Sequence, residues 1–472
     1  MYTNTFLSFF ADAVRLSLGI SHSMLLKQDG TVWATGGNEY GQLGDGSTTS
    51  TNAFVKVIDG RAQAVAAGYA HSLVLGRDGS VWSTGDNTFG QLGNNGRDSQ
   101  KHFAMVRRGE VRGVFAGWYH SMLLKGDGSV WATGWNRFGQ LGDGTYMHRK
   151  RFVQVVANGV RTAAAGSRHS LILKQDNSVW ATGVNNFGQL GDGSKINAAK
   201  FKQVVADGAQ AVSAGEYFSL VLKQDGSVWA AGDNYFGQLG DGSTTSTNTF
   251  VQVVESGAQA VVAGSHYSMM LKQDGSVWTT GNNEFGQLGI GSFSHRSGFE
   301  RVAMSEAQAV AAGSEHSMVL KRDGSVWATG SNGNGQLGQG STTDQNSFVA
   351  VARIGDGGCG NIASAVSTKL RNTSRSNGHL HSREMPVLIA VIVCGVTSVL
   401  VSLLTNAFAT CRNSDWPSNR SSANQRCRSA RFHFLIFPVP ECACEACCVT
   451  LMPTSYEVMS SLENAEPFWR CC

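Results

Sequence analysis

Five histidines, His22, His71, His120, His169 and His316, are separated by multiples of 49 residues. Imidazole is a common metal ligand and a general acid or base near neutral pH, so a metal ring is the first chemistry to weigh. Two observations argue against it. The same position in two further copies of the pattern carries Phe218 and Tyr267, which are not ligands of that kind, and units of 49 residues would hold the histidines far apart. The expectation is a histidine packed and hydrogen-bonded at the start of a strand. A second candidate, Gly-Gln-Leu-Gly, begins at Gly41 and returns every 49 residues as far as Gly335. No Lys-Ser/Thr pair or helix follows it, so it is not a phosphate loop; its glycines suit close backbone packing. No Ser/His/Asp set, carboxylate pair or metal spacing stands out. The sequence therefore predicts a protein that is not an enzyme, with no metal and no cofactor.

The elements that carry these residues follow from the period itself. Val-Trp recurs at Trp33, Trp82, Trp131, Trp180, Trp229, Trp278 and Trp327, and a lone Phe recurs from Phe54 to Phe348, with no insertion or deletion. Seven copies of fixed length mean a solenoid, a propeller or an array. Within the second copy, Ala62 to Ala67, Ser72 to Leu75, Ser80 to Thr84 and Phe103 to Val106 are short runs bounded by glycine or by Asp78-Gly79, which are strand and hairpin signals. The fourth copy has Asp176-Asn177 instead, and Asn also tolerates a left-handed turn. Four antiparallel strands per copy and no helix predict an all-β, seven-bladed β-propeller, in which radial repetition protects strand edges. The repeated Trp is expected in the core between blades.

Composition divides the chain at the point where the period ends. Of 58 Gly, 52 fall in residues 1–354, whereas all ten Cys and all six Pro fall beyond them. The first part thus has no disulfide or thiolate chemistry. With 38 Lys+Arg against 34 Asp+Glu, wholesale electrostatic binding of DNA or RNA is disfavoured, which leaves direct nucleic-acid binding as the lesser alternative.

Copies of the form Gly-x-x-His-Ser, Asp-Gly-Ser-Val-Trp and Thr-Gly-x-Asn-x-Phe-Gly-Gln-Leu-Gly-Asp-Gly, such as Gly117, His120, Ser121, Asp127, Trp131, Gly134, Asn136 and Phe138 in the third, resemble the repeat of the regulator of chromosome condensation family. The resemblance covers about residues 13–354 and implies a seven-bladed propeller; WD and kelch repeats fit the length and glycine pattern less well. Members of that family include a nucleotide exchange factor for a nuclear GTPase that also docks on nucleosomes, a photoreceptor with a tryptophan cluster, and secreted enzyme inhibitors. The exchange factor inserts a β-wedge for which an unbroken period leaves no room. Of the photoreceptor-type tryptophan positions only Trp118 is filled here, its equivalents being Ile20, Tyr69, Ser167, Glu216, Ser265 and Ser314.

Information specific to this chain lies where the copies differ. In a four-stranded meander alternate connections share a face, so the Gly-x-x-His loop and the long loop after Gly-x-Asn emerge together, opposite the Asp-Gly hairpins. On that face copies three to five contribute Trp118, Tyr119, Trp135, Arg137, Arg168, Tyr217 and Tyr235, residue types enriched at interface hot spots. Copies two to four also carry a basic arc, Arg97, Lys101, His102, His148, Arg149, Lys150, Arg151, Lys195, Lys200 and Lys202. The expected function is a monomeric propeller scaffold binding a protein partner with an acidic surface through the loop face of repeats 3–5. A small GTPase or a nucleosome is the alternative that the family implies, and an inhibitor-type propeller a further one.

Segments outside the repeats read differently. Residues 1–12 form an N-terminal extension without signal-peptide character, in which Phe6 to Phe10 is a candidate ring-closing strand beside Phe348 to Ala352, the alternative being that it lies loose. Residues 355–384 have linker composition. Val387 to Leu404 is an uncharged run of 18 residues, which makes 385–409 a candidate single-span transmembrane helix. Residues 410–472 form a Cys-rich tail expected to lack order, either a genuine tail or a translated gene end. Localisation turns on this choice: cytoplasmic or nuclear without the tail, membrane-anchored with the span.

Overall fold

In the computed structural model, which describes residues 15–353, twenty-eight strands form seven four-stranded antiparallel sheets. Each sheet is one repeat taken in chain order, so the propeller and its blade count are as expected. The first blade comprises Arg15–Leu18, His22–Leu26, Val32–Gly36 and Thr51–Ile58; the seventh ends with Gln345–Arg353. Residues 1–12, 355–384, 385–409 and 410–472, with the ring-closing, membrane-span and Cys-rich segments proposed for them, lie outside the described residues. Among the described residues no helix is long and apolar enough to cross a membrane.

Local chemistry explains the Asp-Gly-Ser-Val-Trp run. In the second blade the Ser80 amide and hydroxyl both donate to Asp78 Oδ1, at 2.9 and 2.6 Å, and Trp82 Nε1 donates to Ser80 Oγ at 3.1 Å. The same bonds hold the Asp78 carboxyl below the usual carboxylate range. Gly79 takes φ +75°, and in the fourth blade Asn177 takes φ 66°, as its residue type allows. The strand after the Gly-x-x-His loop is buried except for a closing Lys in blades three to seven, whereas the fourth strand of each blade is partly exposed at the rim. The repeated Trp departs from expectation. It is half-buried, one side packed against the preceding blade and, in every blade but the second, the other covered by a lysine ammonium, as with Lys174 3.9 Å from the Trp180 ring centre. A Lys closing the second strand lies beside the Trp of the third, so its stem covers the indole while its charge stays wet.

Adjacent blades are joined by buried polar bonds that use the repeated residues together. Ser121 Oγ donates to the Gln91 carbonyl of the preceding blade at 2.7 Å. Its single hydrogen is then committed, so at 2.9 Å it must accept from His71 Nε2. The same His–Ser–carbonyl relay links His22 to Ser72, His120 to Ser170, His169 to Ser219 and His316 to Ser23. In the sixth blade Tyr267 substitutes, donating to the His316 carbonyl at 2.6 Å; in the fifth, Phe218 fills the space without a bond and Ser268 keeps only its carbonyl. A threonine in the third strand adds a second tie, such as Thr84 to the Gly41 carbonyl at 2.8 Å. Only the fifth blade has an alanine, Ala231, in its place.

Glycines of the tetrad receive the next blade. A Cβ on Gly93 would collide with the Phe152 ring, which explains why a lone Phe recurs one blade on. Beside it, the loop amide of Asn95 donates to the Lys150 carbonyl at 2.9 Å. Ring closure repeats these contacts. Gly340 N donates to Asn52 O at 2.8 Å, Gly338 packs on Phe54, and Ser23 Oγ donates to Gln336 O at 2.7 Å. The seventh blade's fourth strand comes from its own repeat.

Full burial pushes the five histidines down, to about 4 for His22 and His120 and to about 3 for His71, His169 and His316. The native state therefore holds them neutral, whereas unfolded histidine binds a proton below about pH 6.5. Their contribution to stability is complete above pH 6.5 and is lost as the pH falls toward 4–3. By pH 5 the loss is on the order of 2 kcal/mol per histidine, and the sum is comparable to the whole stability of an ordinary domain. Denaturant titrations should find a steep fall in midpoint between pH 7 and 5, and His71→Phe, copying Phe218, should flatten it.

Candidate functional site

The loop face is built by pairing two variable positions in every blade. The residue before each histidine, or before Phe218 and Tyr267 in its place, offers its carbonyl to the amide that follows the third strand: Tyr119 to Trp135 at 2.8 Å, Arg168 to Val184 at 2.9 Å, Tyr217 to Asp233 at 2.9 Å and His266 to Asn282 at 2.8 Å. The two loops therefore share a face, as the meander argument requires. The long loop is itself rigid. Asn136 Oδ1 accepts from the Leu141 amide at 3.0 Å, while its Nδ2 donates to Asp143, to the Thr145 carbonyl and to the Met147 carbonyl at 3.0–3.1 Å. This fixes the protruding Tyr146 and Met147.

Six of the seven proposed anchors, all but Arg137, belong to one connected aromatic assembly. Tyr119 lies edge-on to Trp118 and Trp135, at 6.5 and 5.7 Å between ring centres, and the Arg168 guanidinium lies 5.7 Å from Trp135 and 5.5 Å from Tyr217. Arg137 is exposed; burial, then repulsion from Arg97 and Arg137, holds the His148 pKa below its ordinary value. Tyr235 is the outermost member, 74% exposed, with its ring edge-on to Phe236. The assembly also includes residues that the sequence reading passed over. Tyr69 stacks on Tyr119 at 4.8 Å, Phe89 and Phe138 flank Trp135, and Phe187 and Phe236 extend the row to His266. These phenylalanines recur in most copies and so read as framework, although they are the spacers that join the variable rings. Burial raises the Tyr119 and Tyr217 hydroxyls above their ordinary pKa.

The basic residues are less uniform than an arc. Arg97, Lys101, Lys150, Arg151, Lys195 and Lys200 are exposed, but Arg149 is neutralised by Asp143 at 2.7 Å and Lys202 by Asp192 at 3.3 Å. Lys101, Lys150, Arg151 and Lys200 lie on fourth strands, at the rim. The opposite half of the face is acidic. Glu216 lies 3.1 Å from His266 Nε2. Burial, then repulsion from Glu284, Asp344 and Glu216, raises the Glu315 carboxyl. Tyr217 sits at the boundary, subject to Glu216 and Asp233 on one side and Arg168 on the other. Tallying only cations hid this division.

The inner strands line a central cavity of about 280 Å³, with Ala116, Ala165, Ala214 and Ala263 on its wall and Trp118, Ser167, Glu216 and Ser265 at its mouth. Among the described residues no cluster of three His, Cys, Asp or Glu is arranged to hold a metal. The histidines instead spend Nε2 on serine, and their Nδ1 atoms have no hydrogen-bond partner.

Two family profiles, both described as regulator of chromosome condensation (RCC1) repeat, match the chain. One covers 13–42, 62–91, 111–140, 160–189, 209–238, 258–287 and 307–336; the other covers 29–75, 78–124, 127–173, 225–271 and 274–320. No curated protein sequence matches. Among solved structures, human WBSCR16 is similar at 22% identity over 68% of this chain and 93% of its own, with a TM-score of 0.63. Yeast RCC1 (Prp20), solved with Kap60, is 18% identical over 75% of this chain and 88% of its own, with a TM-score of 0.64. Prp20p from Saccharomyces cerevisiae, described with its binding properties to Gsp1p and histones, is 20% identical over 74% and 90%, with a TM-score of 0.63. At these identities the likeness is one of fold.

Asp143 serves the loop as well as the charge balance, since it accepts from Asn136, from the Thr145 amide and from Arg149. Urea denaturation should find Asp143→Ala destabilising by about 1–3 kcal/mol. Arg149→Ala, which removes only a partly exposed ion pair, should cost at most about 1 kcal/mol.

Proposed function

The chain belongs to the regulator of chromosome condensation (RCC1) repeat family, and on that premise we propose that it is a non-enzymatic propeller scaffold binding a protein partner through the loop face of repeats 3–5. The observation that carries this reading is where apolar surface is exposed. Of the eight exposed large apolar side chains among the described residues, only Met105 lies outside the long loops of this face. Loops pinned by buried asparagines keep those side chains out of the core, and interfaces favour such pre-ordered aromatic and Met anchors. The repeated polar groups are committed to structure: the serine hydroxyls donate to carbonyls and the five histidines are buried, so neither is placed to attack a substrate.

A second reading, docking on a GTPase or on chromatin, draws support from the exposed cations of blades two to four and from the fold shared with Prp20p, which is described with Gsp1p and histones. The two readings differ in what they need. Anchoring by aromatics requires Trp118 and Trp135, whereas docking by the cations alone gives steep salt dependence and is indifferent to the indoles.

Affinity capture at two salt concentrations separates them. The double variant Trp118→Ala, Trp135→Ala should lose the captured partner at both salts while its melting temperature stays within a few degrees of the parent. Undiminished capture by that variant, with binding that collapses between 50 and 200 mM salt, would replace the first reading with the second.

A further inference from the structure

Blades three and four carry hydrogen-bond donors with no acceptor. In every long loop the glutamine of Gly-Gln-Leu-Gly accepts a backbone amide through Oε1, as Gln140 does from Phe138 at 3.1 Å and Gln189 from Phe187 at 3.0 Å. The Nε2 donor is thereby directed toward the residue that follows the third strand. In blades two and five that residue is an aspartate, and the amide donates to it: Gln91 to Asp86 at 2.7 Å, Gln238 to Asp233 at 2.8 Å. In blades three and four it is Trp135 and Val184. There the Nε2 atoms of Gln140 and Gln189, both on fully buried side chains, have no partner.

Arg168 stands between these two positions. Its carbonyl holds the Val184 amide, and its guanidinium lies within 6 Å of the ring centres of Trp135, Phe138 and Tyr217. Its Nε is buried without a partner, and no described carboxylate comes within ion-pair distance of it. Three rings orient and partly desolvate this cation without neutralising it. Arg137, on the third blade, is exposed and makes no ion pair among the described residues.

Building on the partner-binding reading, we propose that the caged Arg168 guanidinium is the receptor for a single carboxylate, carried by an Asp or Glu side chain of the partner, and that this carboxylate supplies the negative charge which Asp86 and Asp233 supply internally in blades two and five. A planar guanidinium takes a carboxylate through two parallel hydrogen bonds, and Lys cannot reproduce that fork. The acidic half of the face, beginning at Glu216 and Asp233, repels a run of negative charge beyond the first, so one carboxylate next to an apolar residue fits better than a polyanion.

The test uses the full chain and a fluorescein-labelled nonapeptide of one Glu amid Leu, Trp and Ser, read by anisotropy. Three further peptides replace the Glu by Gln, by phosphoserine and by three consecutive Glu. The Glu peptide should bind at least tenfold more tightly than the Gln peptide, and more tightly than the phosphoserine and triple-Glu peptides. Arg168→Met and Arg168→Lys should each lose at least tenfold. Val184→Asp, which places a carboxylate where blades two and five have one, should compete internally and lose as much, while melting at or above the parent temperature. Equal binding of the Glu and Gln peptides, or undiminished binding by Arg168→Met, overturns the proposal, and tightest binding of the phosphoserine peptide assigns the receptor to phosphate instead. If the Arg168 variants keep the captured partner while Trp118→Ala, Trp135→Ala loses it, the carboxylate receptor fails and the partner-binding face stands.

Discussion

The structure depends on hydrogen bonds made across the seams between blades, out of reach of water. At each full seam a serine hydroxyl is fixed by two neighbours, donating to a tetrad carbonyl of the preceding blade and accepting from that blade's imidazole. Each group is useful only when the others are in place. An unmade bond in such a seam leaves a buried polar atom unsatisfied, which costs more than a made bond contributes. Blade spacing is therefore fixed to within a hydrogen-bond length. Apolar clusters that span neighbouring blades supply the driving force, while the polar relay selects one register among the ways in which similar β surfaces could stack.

That rigidity allows the loop face to vary. Because Asn136 and its counterparts hold the long loops from within, loop tips can change from the Ser-Thr-Thr of the first copy to the Thr-Tyr-Met of the third without altering the backbone. Two adjacent variable residues per blade then act as a printed surface. Its pattern here is aromatic and basic over blades two to four, acidic over blades five to seven, with Tyr217 between them.

Legibility in the sequence tracked the distance between partners. Strands, Asp-Gly turns and the sharing of one face by two loops were readable because each is settled within 49 residues by local chemistry. The relay was not, since Ser72 sits beside His71 in sequence but bonds to His22, a repeat away. The tryptophans were misplaced for a related reason: their pattern is that of a core residue, and only the cross-strand lysine reveals the wet side. At the site, the variable anchors were visible as departures from the repeat. Phe89 and Phe138 were not, because a residue present in most copies carries no contrast. The unpartnered Gln140 and Gln189 amides were equally hidden, since what distinguishes them is the loss of an acceptor five residues earlier.

The closure of the ring bears on where it is mechanically weakest. The junction between the seventh and first blades, where the repeats begin and end, has its full set of ties: Ser23 to His316, Thr35 to the Gly335 carbonyl, Asn52 to Gly340 and Phe54 on Gly338. The junction between the first and last repeats thus leaves no scar in the circle, and the repeats could be cut and rejoined at another junction to give the same closed object. The fault line lies instead at blade five, where Phe218 removes the relay on one side and Ala231 the threonine tie on the other. Both of the polar ties that the seams lose outright are lost there, under Tyr217, at the boundary between the two charged halves of its face.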